Sequence, residues 1–314
     1  MATEFKPPPY TGRVETQATE DAMSLLTLVS PREHDLGGGF RVRRALPAAQ
    51  RRAVGPFVFF DHFGPVTAGP NDNHDVRPHP HIGLSTVTYL FDGAMMHRDS
   101  LGFVQRIEPG AINLMTAGRG IVHSERTPDD LRDKTRRTHG LQLWCALPEA
   151  HEDDAPSFVH TAAEHLPEVA LDGIALRVLI GSAFGATSPV ATHSETLYLM
   201  LDCEPGAALV LPALGAGTAP ERALYGVDAG FELDGEAVPP FTLAVLEPGR
   251  TPTLRTPAAG RIALIGGASL GPRFIVWNFV SSQREKIEQA KADWQAQRFD
   301  PVPGETEFIP LPAR

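Results

Sequence analysis

The fold is decided by the stretch "RPHPHIGLSTVTYLFDGAMMHRD", residues 77–99. Thr86, Thr88 and Tyr89 are strong strand formers, because β-branched and aromatic side chains suit a pleated, half-buried surface. Asp92-Gly93 follows at once and signals a hairpin, since both residues tolerate the positive φ that a tight turn demands. Ahead of that strand, His79 and His81 flank Pro80. In extended backbone, residues i and i+2 point to one side, so the two imidazoles project together and Pro80 points away. Pro80 biases His79 toward extended backbone. Its missing N–H puts the segment at a strand start or a sheet edge.

The same alternation of short apolar runs and turns extends outward. "RIEPGAINLMTAG" (106–118) is another strand and turn, and beyond residue 157 come "IALRVLIGS" (174–182), "ETLYLMLDCEPGAALVLP" (195–212), "GFELDGEAV" (230–238) and "FTLAVLEPG" (241–249). The turn "EPG" recurs in both halves and "LDG" twice in the second, as in a weak internal duplication of two all-β domains. At roughly 150 residues per domain, 314 residues suit two domains. The acidic stretch "PEAHEDDAPS" (148–157) is the linker candidate. The expected layout is an N-terminal arm over 1–23, a first domain over 24–150, a second over 157–299 and a tail over 300–314. "PPPY" (7–10) reads as part of a surface-draped arm.

One segment breaks the β pattern. In "SSQREKIEQAKADWQAQRF" (281–299), Ser282 and Glu285 have capping-box spacing, and Ile287, Ala290 and Trp294 fall near one helical face. A helix of about five turns is expected there, packed on the second domain.

Composition excludes several function classes. The net charge of -10 opposes general binding to nucleic acid or anionic membranes, which need a positive surface. The basic stretch "FRVRRALPAAQRR" (40–52) reads as a solvated face. No run approaches the ~20 apolar residues of a membrane span, and residues 1–23 lack the apolar segment of a secretory signal. Cys145 and Cys203 stand far apart and read as buried thiols in a reducing, cytoplasmic setting.

Downstream, "GRGIVHSERT" (118–127) carries a second pair, His123 and Glu125, with Ser124 turned outward. Gly118 and Gly120 let the backbone turn sharply into that strand. Two such strands side by side would aim three imidazoles and one carboxylate at one point, a set suited to divalent iron, manganese, cobalt, nickel, copper or zinc. Such a set leaves positions open on a five- or six-coordinate ion, as a catalytic site requires. The residues alone leave a second reading open, loop histidines satisfied by local hydrogen bonds.

Several motifs together resemble the pirin family of the cupin superfamily: "FFDHFGP" (59–65), "HPHIGLSTVTYLFDG" (79–93), "HRDSLG" (97–102), "PGAINLMTAGRGIVHSE" (109–125) and "GLQLWCALP" (140–148). "GPRFIVWNFVSSQREKIEQA" (271–290) is similar to bacterial members, and the likeness spans roughly residues 24–298. The resemblance implies two cupin-type β-barrels (a bicupin) with a C-terminal α-helix, and one metal ion held by residues matching His79, His81, His123 and Glu125. The usual cupin glutamate shortly after HxH is missing from "IGLST" (82–86), and Glu125 supplies the carboxylate, as pirins arrange it. The second half has only single histidines, His160, His165 and His193, so one metal per chain is expected, with the second barrel structural.

The resemblance further implies Fe(II) as the leading ion, with Mn, Co, Ni, Cu or Zn as alternatives. It implies a flavonol ring-cleaving dioxygenase of the quercetin 2,3-dioxygenase type, which uses O2, releases carbon monoxide and employs Glu125 as general base. The alternative it implies is an iron-dependent redox sensor that binds a transcription factor or metabolic enzyme, with no direct nucleic-acid contact. Among other residues, His62 and His97 are expected to support the site through hydrogen bonds, and Asp61 and Asp99 to cap turns. His139 and Gln142 are expected to line the cavity. Phe57, Phe59, Leu84 and Met115 serve as cavity wall or as plain core. Arg119 is either an anion or partner contact or an exposed turn residue.

Overall fold

The computed structural model describes residues 26–35, 40–70, 72–212 and 221–312. The expected arm and "PPPY" lie outside them. The described chain forms two β-barrels and one C-terminal α-helix, the all-β, two-cupin architecture expected.

In the first barrel a seven-stranded antiparallel sheet runs in the order Ser157–Thr161, Ile112–Thr116, Leu84–Asp92, Arg136–Ala146, Phe57–Ala68, Arg41–Leu46, Arg32–Asp35. Its companion has four strands, Val76–His81, Ile121–Arg126, Met95–Asp99 and Val104–Ile107. Val76–His81 is an edge strand of that sheet, where Pro78 and Pro80 cost no ladder hydrogen bond. The second barrel repeats the plan with seven and four strands.

Strand periodicity explains how the barrels join. On Thr196–Cys203, Leu197, Leu199 and Leu201 enter the interior cluster of the second barrel, while Tyr198 and Met200 point the other way. There they meet Val87, Tyr89, Leu141, Leu143 and Cys145 of the first barrel in one shared core. Strands buried on both faces read as near-continuous apolar runs, which is why "ETLYLML" lacks a polar face. Each fully buried Leu here contributes about 1.5–3 kcal/mol relative to exposure.

Three segments cross the expected halves. Leu26–Val29 pairs with Leu243–Leu246 in the second-half sheet, whereas Ser157–Thr161 pairs with Ile112–Thr116 of the first. The C-terminal hairpin, Phe274–Val276 with Phe279–Ser281, and the helix after it pack on the first barrel rather than on the second. Ile287, Ala290 and Trp294 do lie on one buried face, but they meet Ile82, Val122 and Phe279.

The helix is also shorter than expected, twelve residues from Arg284 to Gln295. Ser282 does not cap it. Gln283 precedes the first turn with no side-chain cap, and the loop is held instead by Glu152 of the linker. Glu152 accepts from the Ser282 N–H (2.6 Å) and the Ser281 hydroxyl (2.7 Å). At the other end Gln297 takes φ 53°, and that left-handed conformation ends the helical path.

Candidate metal centre

His79 and His81 end one strand of the four-stranded sheet, and His123 lies on its antiparallel neighbour, directly opposite His79. The sharp turn before His123 is built as the glycines suggest, with Gly118 and Gly120 both at positive φ. The three side chains are buried at 7, 1 and 2% exposure. Their ring centroids lie 4.4–5.0 Å apart, and one nitrogen of each falls within 4.8 Å of the others.

Hydrogen bonds decide which nitrogens face inward. His79 Nδ1 donates to the Arg77 carbonyl (2.9 Å) and His81 Nδ1 to the Asn278 carbonyl (3.0 Å). A carbonyl only accepts, so both Nδ1 atoms carry the proton and both Nε2 atoms present lone pairs. Burial holds His79 down at about 4 and His81 and His123 well below the usual histidine range. All three rings are therefore neutral at neutral pH, the form that ligates a metal.

His123 Nε2 sits 3.1 Å from His81 Nε2, while its Nδ1 is buried without a hydrogen-bond partner. If the His123 proton is on Nδ1, two lone pairs face each other. If it is on Nε2, a buried lone pair is stranded on Nδ1. Either tautomer carries a desolvation or repulsion cost, and a cation shared between the rings removes it. The residues present thus fit a divalent metal ion.

Glu125 lies beside this triangle rather than at its apex. Its Oε1 is 3.9 Å from His123 Nδ1, and the strand register shifts between His123 and Glu125. The extra residue lies in the partner strand Val76–His81, because Ile121–Arg126 pairs regularly with Met95–Asp99, so His123 and Glu125 stay on one side of their own strand. Desolvation pushes the Glu125 carboxyl up to about 7, so it exchanges protons near neutrality.

The surrounding residues sort themselves by strand face. His97 stands close, its ring centroid 5.3 Å from that of His123. Asp99 both orients it, at 2.8 Å from His97 Nε2, and caps the turn through the Leu101 and Phe103 N–H groups. Asp61 caps no turn; it is buried in a two-pronged pair with Arg44 (2.8 and 2.7 Å). His62 supports a different place: it bonds His139 (2.7 Å) and Tyr225 (3.0 Å) between the barrels, so His139 does not line the metal cavity. Gln142 accepts from the Thr88 hydroxyl and shares a strand face with Trp144, two residues on. Trp144 stands edge-on to His81 and stacks on Phe59 at 3.9 Å.

Phe59 and Leu84 join Trp144 in one apolar cluster. Met115 sits in another with Ile121 and Phe158, and Phe57 lies in the core shared by the barrels. Arg119 is exposed in its turn. Ser124 turns away from the metal side but is fully buried, donating to Glu305 of the C-terminal tail (2.6 Å). Glu305 also pairs with Arg126. Neither the Asn278 carbonyl nor the Glu305 strap left a motif to find. Trp144 lies in the apolar run "GLQLWCALP" (140–148), which reads as a plain core strand.

The family models described as Pirin and as Pirin C-terminal cupin domain match residues 39–145 and 198–300. A pirin-like protein of Caulobacter vibrioides is 46% identical over 90% of this chain and 97% of its own. A Pseudomonas aeruginosa protein provisionally named quercetin 2,3-dioxygenase is 39% identical over 86% of this chain and 84% of its own. Among solved structures, a quercetin 2,3-dioxygenase of Acinetobacter baumannii superposes with a TM-score of 0.85 at 33% identity, covering 92% of this chain and 96% of its own.

Proposed function

Since this chain belongs to the pirin family, we propose that it is a metal-dependent dioxygenase of the quercetin 2,3-dioxygenase type, opening a flavonol ring with O2. The ligands in this reading are His79, His81, His123 and Glu125, and the ion is Fe(II), with Mn, Co, Ni, Cu or Zn able to occupy the same nitrogen and oxygen donors. The observation that carries it is the buried convergence of three neutral imidazoles beside one carboxyl near its titration midpoint. Relatives named for quercetin cleavage support the substrate class.

When bound, the ion acts as a Lewis acid that lowers the pKa of a coordinated hydroxyl. The chain's own contributions follow from its geometry. His79 and His81 are oriented by carbonyls, so their lone pairs are fixed before the ion arrives. Glu125 accepts the flavonol 3-hydroxyl proton on a carboxyl oxygen. Trp144, edge-on to His81 and backed by Phe59, is the aromatic neighbour that a flat flavonol ring meets beside the triad. The reading includes a cytoplasmic location, supported by two buried thiols with no disulfide between them. No described helix is long and apolar enough to cross a membrane.

A second reading, an iron-dependent redox sensor that binds a transcription factor or metabolic enzyme, draws on one observation. Leu101, Phe103 and Val104 are 43, 46 and 63% exposed. Phe103 touches Phe158, whose ring stacks on His97 beside the triad. Exposed apolar clusters mark contact surfaces.

Iron-loaded and chelated protein incubated with quercetin in air separate the two readings. Metal-dependent loss of flavonol absorbance with a ring-opened product is expected from the enzyme, and Glu125→Gln should retain iron while losing at least tenfold in turnover. Full iron occupancy with no flavonol consumed would exclude the dioxygenase reading. Unchanged turnover in Glu125→Gln would remove the proton-transfer role.

A further inference from the structure

Among the described residues, ligand-capable side chains converge in threes at two places, and the second lies outside both barrel interiors. His151 closes the short 3-10 turn Glu149–His151 in the linker, and Asp154 follows three residues on. His193 comes from the loop leading into the strand Thr196–Cys203 of the second half. One carboxylate oxygen serves both rings: Asp154 Oδ2 lies 2.7 Å from His151 Nδ1 and 3.8 Å from His193 Nε2. The two ring centroids are 4.9 Å apart, and the three ligand atoms fall within 4.8 Å of one another.

We propose that His151, Asp154 and His193 form a second, surface metal site that takes a borderline divalent cation such as Zn2+ and ties the linker to the second barrel. The donor set suits that class of ion, because two imidazoles and a carboxylate are the ligands Zn2+ and its neighbours prefer over Mg2+ or Ca2+. The spacing suits it too. Bonds of about 2.0–2.1 Å put tetrahedral ligands roughly 3.3 Å apart, and the distances of 2.7 and 3.8 Å bracket that value. The side chains are 42, 44 and 31% exposed, so small rotations close the gap and water completes the shell.

Without an ion, Asp154 satisfies only one imidazole by hydrogen bond. With one, it serves both. Its backbone is already fixed, the carbonyl accepting from the Arg119 N–H (3.0 Å) and the N–H donating to the His151 carbonyl (3.3 Å). Little chain entropy therefore remains to be lost on binding.

The test counts metal and needs no activity. Metal-free protein is dialysed against Zn2+ at pH 7.5, and bound metal is measured by elemental analysis. Wild type is expected to hold two equivalents. His193→Ala and Asp154→Asn should each hold one, and His165→Ala, an exposed histidine elsewhere, should still hold two. A His79→Ala/His123→Ala double variant should keep one equivalent that His193→Ala then removes. Two equivalents retained in His193→Ala, or a single wild-type equivalent that is lost in the His79→Ala/His123→Ala double variant, would overturn the second site while leaving the triad untouched.

Discussion

At the scale of single residues, the candidate site depends on atoms that are not ligands. Gly83 is the clearest case. It takes φ +67°, and a Cβ there would sit 2.0 Å from the Val280 carbonyl oxygen. Its own N–H bonds the Gly118 carbonyl (2.8 Å), and its carbonyl accepts from Leu147 (3.0 Å). It thus joins the HxH strand, the turn before His123 and the C-terminal hairpin at one point. Gly83→Ala combines a left-handed alanine, costing about 1–3 kcal/mol, with a backbone clash. Urea unfolding should show at least that loss, and metal content per chain should fall with it, because Val280 lies two residues from the Asn278 carbonyl that orients His81. Stability within about 0.5 kcal/mol of wild type, the range of a neutral surface change, would mean the junction is softer than it looks.

At the scale of elements, the C-terminal hairpin and helix act as a wall of the first barrel. Ile287 is 1% exposed and packs with Ile82 and Val122, neighbours in sequence of His81 and His123. Ile287→Ala should cost about 2–4 kcal/mol by the transfer and cavity terms, read as a lower denaturant midpoint at unchanged slope. A chain ended after Gly271 keeps His79, His81, His123 and Glu125 but loses the carbonyl partner of His81. It is expected to purify with little metal, and full occupancy in that truncation would show that His81 needs no orienting partner. The helix was legible in the sequence as a helix, since Ile287, Ala290 and Trp294 recur at helical spacing. Its partner was not, because an apolar stripe states that it must be covered and is silent about what covers it.

At the scale of the whole molecule, the two barrels share one core, and its polar centre is the His62, His139 and Tyr225 network. Desolvation first, then the neighbouring charges, holds His62 at about 3 and His139 at about 4. Both titrate near 6.5 when unfolded. Between those values the unfolded chain binds protons that the folded chain refuses, so stability rises with pH and is lost as pH falls from about 6.5 toward 4. Each histidine adds up to about 1.4 kcal/mol per pH unit in that window. Unfolding free energies of chelated protein across pH 6.5–4.5 should show this slope together with that of the triad histidines, which burial holds down in the same sense, and His139→Gln, which keeps a group able to bond His62, should reduce it by one histidine's share, up to about 1.4 kcal/mol per pH unit. An unchanged slope would place the acid sensitivity elsewhere. The shared core also predicts one unfolding transition for both barrels, with tryptophan fluorescence and circular dichroism coincident.

The sequence by itself determined what is local and periodic. It determined strands of period two, a helix of period 3.6, the buried thiols, and two pairs of donor residues each placed on one side of an extended segment. These follow from side-chain chemistry at fixed spacing, which neighbours along the chain impose. Only the tertiary structure decided which barrel each segment serves: Leu26–Val29 in the second-half sheet, Ser157–Thr161 and the helix with the first. It likewise decided that His79 and His123 face each other on paired strands, that His62 and His139 meet between the barrels, and that His81 is aimed by a carbonyl 197 residues away. Every residue but proline carries the same backbone N–H and C=O, so a contact made through them leaves no trace in the identity of the residue that makes it.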